Sequence, residues 1–443
     1  MIMAKKACIE TFGCQMNVHD SERMAGLIEQ AGYELTDDIG TADLVLINTC
    51  SIREKAEDKL FGRLRELGRG GHERPLVAVT GCVAQQEGNR LLDRSENVDV
   101  VVGTQALRRL PLLVNRADET GESQVDVNPY DDVSFPLGMA VRNDPVKAYV
   151  TIIEGCNDFC AFCVVPYTRG RERMRRASEI LAEVRHAAAA GHCEVHLLGQ
   201  IVNHYHDPAD PRHDFAWLLH QVHAVPGVER IRFASPHPRH VTPAMIAAMR
   251  DLPKVCHHLH LPLQSGSSAV LKKMRRRYSR ETYLDLVEQV RAAIPDIALS
   301  TDIIVGFPGE TDGDFEATLS LVEAVGFHGM FSFKYSQRPH TLAAKRMPDT
   351  VPEAEKTRRL MALQARQKVI QTRLHAGSIG QTVDVLVDSR SRRQTGGEMF
   401  SGRTAQNTVV NFPGRPEWLG STVAVRVDAA GAHSLRGEVV SLP

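Results

Sequence analysis

Three cysteines fall within eight residues, Cys156, Cys160 and Cys163 in the run CNDFCAFC, directly after an apolar run, Ala148–Ile153, of strand character. A loop that presents thiols at the spacing C-x3-C-x2-C at the end of a strand is a strong constraint on what the surrounding chain can be. Three thiolates on one loop can hold three irons of a 4Fe–4S cube. The fourth iron then lacks a protein ligand, like the open position of a catalytic metal centre. A small molecule can chelate that iron and receive an electron. The alternatives are a zinc site lacking its fourth ligand, or three unrelated core cysteines; clustering of three of the nine cysteines in so short a run weighs against the latter.

The pattern around this loop is α/β. Candidate strands Ala148–Ile153, Glu194–Leu198, Arg230–Phe233, His258–Leu261, Leu299–Val305 and Met330–Phe333 alternate with helical segments such as Ser178–Ala190 and Arg280–Ile294. Six βα units of this size predict a partial parallel (βα)6 barrel, with functional groups at the C-terminal ends of its strands. An earlier α/β series spans the first 115 or so residues, with candidate strands Ala7–Phe12, Leu44–Ile47, Leu76–Val79 and Val98–Val102. There Met24, Leu27, Ile28 and Ala31 mark one helix face ending near Gly32, and a second helix begins near Ser51 with Glu54 placed for a capping box. Between the series, Asp118–Asp144 is polar and acidic with Pro129, Pro136 and Pro145, as in a linker. A charged helix over Pro352–His375 closes the second series. Beyond it Thr382–Val387, Thr408–Phe412 and Ser421–Val427 alternate as strands between Gly and Pro turns, which predicts a small antiparallel β-barrel of a type that binds oligonucleotides.

A second set of cysteines is spread widely: Cys14, Cys50 and Cys82 are 36 and 32 residues apart, yet each follows a predicted strand. Ends of neighbouring strands in a parallel sheet converge at one edge, where three thiolates could hold a second cluster; isolated buried cysteines are the plainer alternative. Cys8, Cys193 and Cys256 sit in or beside apolar runs and suit core packing. No apolar run approaches the roughly 20 residues that span a bilayer, and Met1–Glu10 carries no apolar stretch of secretory type, so a cytoplasmic location is expected. In a reducing compartment, regularly spaced cysteines serve metals or chemistry rather than disulfides.

At the CNDFCAFC loop the chain resembles radical S-adenosylmethionine (SAM) enzymes, and with both cysteine sets and their flanks it resembles the methylthiotransferase family within them. The resemblance is carried by TFGCQMNVHDSE (Thr11–Glu22), NTCSIREKA (Asn48–Ala56), TGCVAQ (Thr80–Gln85), IIEGCNDFCAFCVVPYTRGRERMR (Ile152–Arg175), LPLQSGS (Leu261–Ser267), STDIIVGFPGET (Ser300–Thr311) and SGRTAQNTVVNF (Ser401–Phe412). It implies an N-terminal methylthiotransferase domain (1–117), a linker (118–144), a radical SAM domain (145–376) and a C-terminal TRAM domain (377–443). It further implies two 4Fe–4S clusters: a catalytic one on Cys156, Cys160 and Cys163, where SAM is cleaved to a 5′-deoxyadenosyl radical, and an auxiliary one on Cys14, Cys50 and Cys82, where sulfur is methylated by a second SAM. The words QMNVHDSE and CVVPYTRGRERMR favour the branch that methylthiolates C2 of N6-dimethylallyladenosine at position 37 of tRNA, beside the anticodon. Other branches act on threonylcarbamoyl-adenosine or on an aspartate of a ribosomal protein. The implied partners are a tRNA anticodon stem-loop and an external electron donor such as flavodoxin or ferredoxin, with a monomeric enzyme and no membrane. The chain departs from the family pattern at Ile201, where Asn is expected, and at His340 and Leu342, where Gly and Pro are usual.

Net charge is −1, from 53 basic and 54 acidic residues, so contact with a nucleic acid has to come from local patches. Arg169, Arg171, Arg173, Arg175 and Arg176 follow the cysteine loop, and Lys272, Lys273, Arg275, Arg276, Arg277 and Arg280 form a second run. Arginine suits phosphate because its planar fork donates two hydrogen bonds, although such runs are commonly just solvated surface. The C-terminal barrel is nearly neutral, +1 from seven basic less six acidic residues, with Arg390, Arg392 and Arg393 clustered. Gln200, Asn203, Asp302 and Gly306, near strand ends, could line the SAM site or be buried turn residues. His257, His258 and His260 suit polar packing, and Gly306–Gly309 lacks the Lys-Ser/Thr of a P-loop. Three readings compete: a tRNA methylthiotransferase, the same chemistry on a ribosomal protein, and an electron-transfer or RNA-binding iron–sulfur protein without radical catalysis.

Overall fold

The computed structural model describes residues 4–51, 54–68, 74–128, 140–391 and 398–441. The side chain of Glu54, the prolines Pro129 and Pro136, and Arg392 and Arg393 lie outside the described residues.

The first domain is a six-stranded, all-parallel sheet. Its strands are β1 (Lys6–Phe12), β2 (Glu34–Leu35), β3 (Leu44–Thr49), β4 (Leu76–Thr80), β5 (Val100–Val102) and β6 (Gln124–Asp126), in the order β2-β1-β3-β4-β5-β6. Central strands such as LVLINT are buried along their whole length, as expected when helices cover both faces of a parallel sheet. Helices Gln15–Gln30 and Leu110–Thr120 cover one face through Met24, Ile28, Leu110 and Val114. Glu54–Leu67 and Gly81–Glu87 cover the other through Leu60, Leu64, Val83 and Ala84. Two strands escaped the sequence pattern because they are short and polar. One of them, β6, lies inside the stretch expected as linker, and the helix before it runs past Asp118 to Thr120. An ion pair from Arg109 to Asp126 (2.5 Å) and a bond from Gly103 N to Asp126 O (2.8 Å) hold this edge strand in place.

The second domain contains the six expected parallel strands at Lys147–Thr151, Glu194–Leu198, Arg230–Phe233, His258–His260, Ala298–Val305 and Gly329–Lys334. They form two three-stranded halves joined by the parallel bridge Ile231↔Val255. No pairing joins the first strand to the last among the described residues, so the barrel is open. The helix Glu353–Ala376 contributes Leu363 and Ile370 to the barrel core.

Residues 382–441 form a closed five-stranded barrel. The three expected strands are joined by Met399–Arg403 and Leu435–Ser441, in which glycine interrupts the apolar alternation that would have marked them. This barrel closes the N-terminal end of the larger one. Arg232 donates to Thr404 O (2.7 Å) and Ala405 O (3.2 Å), Lys147 pairs with Asp388 (2.8 Å), and Cys193 contributes its thiol to Gly420 O (3.3 Å). Arg232 also pairs at 2.9 Å with Glu194, whose carboxyl is held well below the usual range by His196 and Arg232 despite full burial.

Breaking one partner of such a buried pair strands a charge, a loss of about 3–5 kcal/mol. Arg232→Met is therefore expected to lower unfolding stability by about that amount in urea titrations; a change under about 0.5 kcal/mol would show that the pair is not structural.

Candidate functional site

The parallel register brings the three dispersed cysteines together. Phe12 lies opposite Thr49, Asn48 opposite Thr80, and a bridge links Thr49 to Gly81. Cys14, Cys50 and Cys82 thus emerge side by side just past the ends of β1, β3 and β4. Cys50 N donates to Phe12 O (3.0 Å), and Cys14 caps the helix Gln15–Gln30. Beneath them, Asn17 donates to Asn48 Oδ1 (2.9 Å), and Asn48 donates back to Asn17 O (2.8 Å) and to Ser21 Oγ (3.0 Å). The chain can pass this close only because Gly81 has no side chain: at φ +86° its Cβ would fall 2.2 Å from Asn48 Oδ1.

Electrostatics single out this trio. The Cys50 thiol donates to Cys14 and, with the nearby Arg169 charge, holds the Cys14 thiol down to about 6 against the opposing effect of burial. Burial pushes the Cys82 thiol up, while Arg169 pulls it down. Thiolate is the form that binds metal, and a buried cation beside two thiols stabilises it.

The compact set sits on the loop after Ile153–Glu154. Cys156 N donates to Gly170 O (3.1 Å), Cys163 N to Cys160 O (3.0 Å) and Ala161 N to Met274 O (3.0 Å). Cys156 packs with Val165 and Ile201, so the residue that departs from the family pattern is an apolar wall of this pocket. Burial pushes Cys156 and Cys163 up to about 12. Arg276, buried, lies 3.2 Å from the Cys160 sulfur. Asp158, within the loop, is ringed by His237 (3.6 Å), Arg239 (3.5 Å) and Arg277 (3.7 Å). Among the described residues no three His, Cys, Asp or Glu side chains converge on a point that would suit a single ion.

One short segment ties the sets together. Thr104 donates to Thr168 O (2.5 Å) and Gln105 to Arg169 O (3.1 Å), both across the domain boundary. The Arg169 guanidinium meets Asp20 at 2.6 Å, with both side chains at most 5% exposed, and reaches the dispersed trio. The next residue, Gly170, accepts from Cys156 of the compact set. The inward roles of Arg169 and Arg276 were not legible in the sequence, because the partners that reveal them are 149 and 116 residues away.

The basic runs accordingly divide. Arg169 and Arg175 are buried, Arg175 pairing with Glu183 (2.6 Å), and Arg173 is half-buried near Glu154 (3.7 Å); Arg171 and Arg176 remain exposed. In the second run Arg276 is buried and Arg280 is half-buried, bonded to Ser320 Oγ (3.1 Å) and to backbone; Lys272, Lys273, Arg275 and Arg277 are exposed. The expectation that each run forms one surface patch is corrected on this point.

The four other candidates also divide. Asn203 is committed to His237, donating to its carbonyl (3.1 Å) and accepting from its amide (2.8 Å). Gly306 N is taken by Glu310 (2.6 Å), and its own φ is +72°. Gln200 keeps a buried Oε1 without a hydrogen-bond partner, and Asp302 is half-buried, 3.4 Å from His260. His258 and His260 both meet Ser300 Oγ, at 3.0 and 2.9 Å, and His257 meets Asp296 at 2.9 Å, as polar packing requires. His340 has φ +67°, a conformation that glycine adopts freely, which accounts for the glycine usual there. Cys8, Cys193 and Cys256 are buried in the core.

The open six-stranded barrel with a three-cysteine loop after its first strand defines the chain's class. Residues 150–322 match the model of the Radical SAM superfamily, residues 6–103 that described as uncharacterized protein family UPF0004, and residues 378–440 the TRAM domain. The chain is 46% identical to the tRNA-2-methylthio-N(6)-dimethylallyladenosine synthase of Nitrosospira multiformis, over 99% of this chain and 94% of that one. It is 47% identical to the protein of the same name from Geobacter metallireducens, over 97% of each. The chain belongs to this family of radical SAM proteins. In solved structures its fold is similar to that of the radical SAM methyltransferase TsrM from Kitasatospora setae (TM-score 0.55, 15% identity, 77% of this chain and 75% of that one). It is also similar to the cobalamin-dependent SAM radical enzyme OxsB (TM-score 0.52, 11% identity, 83% and 56%). No described helix is long and apolar enough to cross a membrane.

The Arg169–Asp20 pair predicts a coupled loss. Arg169→Leu leaves buried Asp20 with only its longer contact to Arg23 (4.0 Å), so the protein should lose up to about 3–5 kcal/mol, and the Cys14 thiol should titrate at higher pH once its neighbouring cation is gone. Alkylation rate of the apoprotein against pH measures the second effect; an unchanged Cys14 profile would show that Arg169 acts on structure alone.

Proposed function

We propose that this chain is a methylthiotransferase that converts N6-dimethylallyladenosine beside the anticodon of tRNA to its 2-methylthio derivative, with SAM as methyl donor and radical source. The observation that carries the proposal is the pairing of two thiol sets, Cys156/Cys160/Cys163 and Cys14/Cys50/Cys82, through the segment Thr168–Gly170. A radical SAM enzyme needs only the first set to make its radical; a second set of three bound to the same wall suits a reaction that also inserts sulfur. The names of the full-length relatives support the same substrate.

Both sets fit the groups assigned to them. Each offers three soft ligands and an open position, and each has a buried arginine, Arg276 or Arg169, that offsets thiolate charge in a low-dielectric setting. When bound, the clusters supply the electron that cleaves SAM and the sulfur that is transferred. The chain's own contribution is arrangement. Val165 and Ile201 form apolar packing around Cys156 and restrict water there. Gln200, with its unpartnered buried oxygen, is the best placed of the four SAM-lining candidates; Asp302 is the second. Asn203 and Gly306 act through the loops they brace. An external one-electron donor, flavodoxin or ferredoxin, completes the cycle, and a monomer in the cytoplasm suffices for it.

The first test is mass spectrometry of tRNA nucleosides from cells with and without the gene. Loss of 2-methylthio-N6-dimethylallyladenosine with accumulation of its precursor is expected. Unchanged nucleosides in cells that make this product would discard the substrate and move the search to a ribosomal protein.

A second test addresses the division of labour. Cys82→Ala should remove roughly half of the bound iron after reconstitution and abolish methylthiolation, while reductive cleavage of SAM persists. Full methylthiolation by this variant would refute the role of the dispersed trio.

A further inference from the structure

The stretch Ser267–Ser279 contains an unusual helix end. The helix Ser268–Lys273 stops with Arg276 N donating to Leu271 O (3.0 Å) and Arg275 N donating to Lys272 O (3.1 Å). This is the double bond of a Schellman motif, which requires a left-handed residue and is usually filled by glycine or asparagine. Here that residue is Arg275, at φ +59°, and two positions on Arg277 is also left-handed, at φ +59°. A Cβ makes both conformations unfavourable, so arginine at either is a poor choice for the backbone.

The geometry has another use. The two left-handed residues flank Arg276, which turns inward to the Cys160 sulfur (3.2 Å), and they themselves lie outside. With Ser268, Lys272, Tyr278 and Ser279 they line an open groove. Lys272 and Arg275 make no ion pair among the described residues, and Arg277, 56% exposed, reaches Asp158 of the cysteine loop at 3.7 Å. Glu281 touches the rim through Ser268 Oγ (3.2 Å). The groove carries three exposed cations and is adjacent, through Arg277 and Asp158, to the loop at which the substrate base must arrive. We infer that Lys272, Arg275 and Arg277 bind the phosphodiester backbone of the substrate RNA, positioning the target adenosine over the cysteine loop. This inference rests on the proposed tRNA substrate and adds the surface that holds it. Arginine forks match phosphate oxygens, and strained residues persist where a function holds them.

The test exploits the conflict between backbone and charge. The double variant Arg275→Asn/Arg277→Gly relieves both left-handed positions, so its melting temperature should equal or exceed that of the parent. Binding of unmodified, prenylated tRNA to the cluster-reconstituted enzyme should nevertheless weaken at least tenfold. The slope of log affinity against log salt should shrink by about 1.5, as expected for two lost phosphate contacts. Unchanged affinity and slope would overturn the inference while leaving the function intact. Failure of the parent enzyme to bind tRNA at all would overturn both. Should the double variant melt lower than the parent, Lys272→Ala and Arg275→Gln, which leave the helix end in place, decide by the same binding and salt measurements.

Discussion

The ion pair between Arg169 and Asp20 is the interaction on which the site depends. Each residue lies in a cysteine-bearing stretch of a different domain, and their side chains meet at 2.6 Å almost fully removed from water. Such a pair contributes little net stability, because desolvating two charges offsets most of their attraction. Its value is in register. A guanidinium so committed fixes Thr168–Gly170, and that segment sets the amide of Cys156 on one side and the environment of Cys14 and Cys82 on the other. A displacement of the domains would strand that charge and break the neighbouring contacts of His19 with Thr151 (2.8 Å) and of Arg23 with Glu154 (3.4 Å), so the relative position of the two thiol sets is held by a group of buried polar contacts.

The same logic explains why both domains are parallel α/β. Parallel strands deliver loops to one end of a sheet, and functional groups gather there. In this chain the C-terminal ends of the two sheets face one another across Thr104, Gln105 and Arg169. The opposite end of the larger barrel is closed by the small C-terminal barrel through Arg232, Glu194 and Lys147. The small barrel therefore sits away from the cysteine loop.

Much of this was legible in the sequence, for a physical reason in each case. Parallel strands such as Leu44–Thr49 and Glu194–Leu198 are buried throughout and mostly apolar, so their positions could be read directly. Convergence of Cys14, Cys50 and Cys82 followed from adjacency of their strands. Edge elements were missed, because β6 is three partly polar residues held by pairing with β5 and by an ion pair, and nothing local distinguishes it from a linker. Side-chain commitments were missed for a different reason. Asn203 looked available for a ligand but is consumed by His237, 34 residues away, and the arginine runs looked uniform until burial separated them. Spacing reports backbone placement well; it carries no information on which polar atom a distant residue has already taken.

That separation changes how the charge of the chain should be weighed. With a net charge of −1, no global field draws a polyanion to this protein. The arginines nearest the thiols, Arg169 and Arg276, face inward and are neutralised by Asp20 and by sulfur, so they cannot also meet phosphate. The exposed cations that remain lie outside these, Arg171 and Arg176 after the first loop and Lys272, Lys273, Arg275 and Arg277 around the second helix end. An inner layer that stabilises thiolates and an outer layer free to meet RNA are thus drawn from the same two runs. Alternation along the chain is what allows it: where the backbone reverses sense at Arg275 and again at Arg277, successive side chains point to opposite sides. The left-handed conformations are the means by which one short segment serves the buried sulfur and the open groove at once.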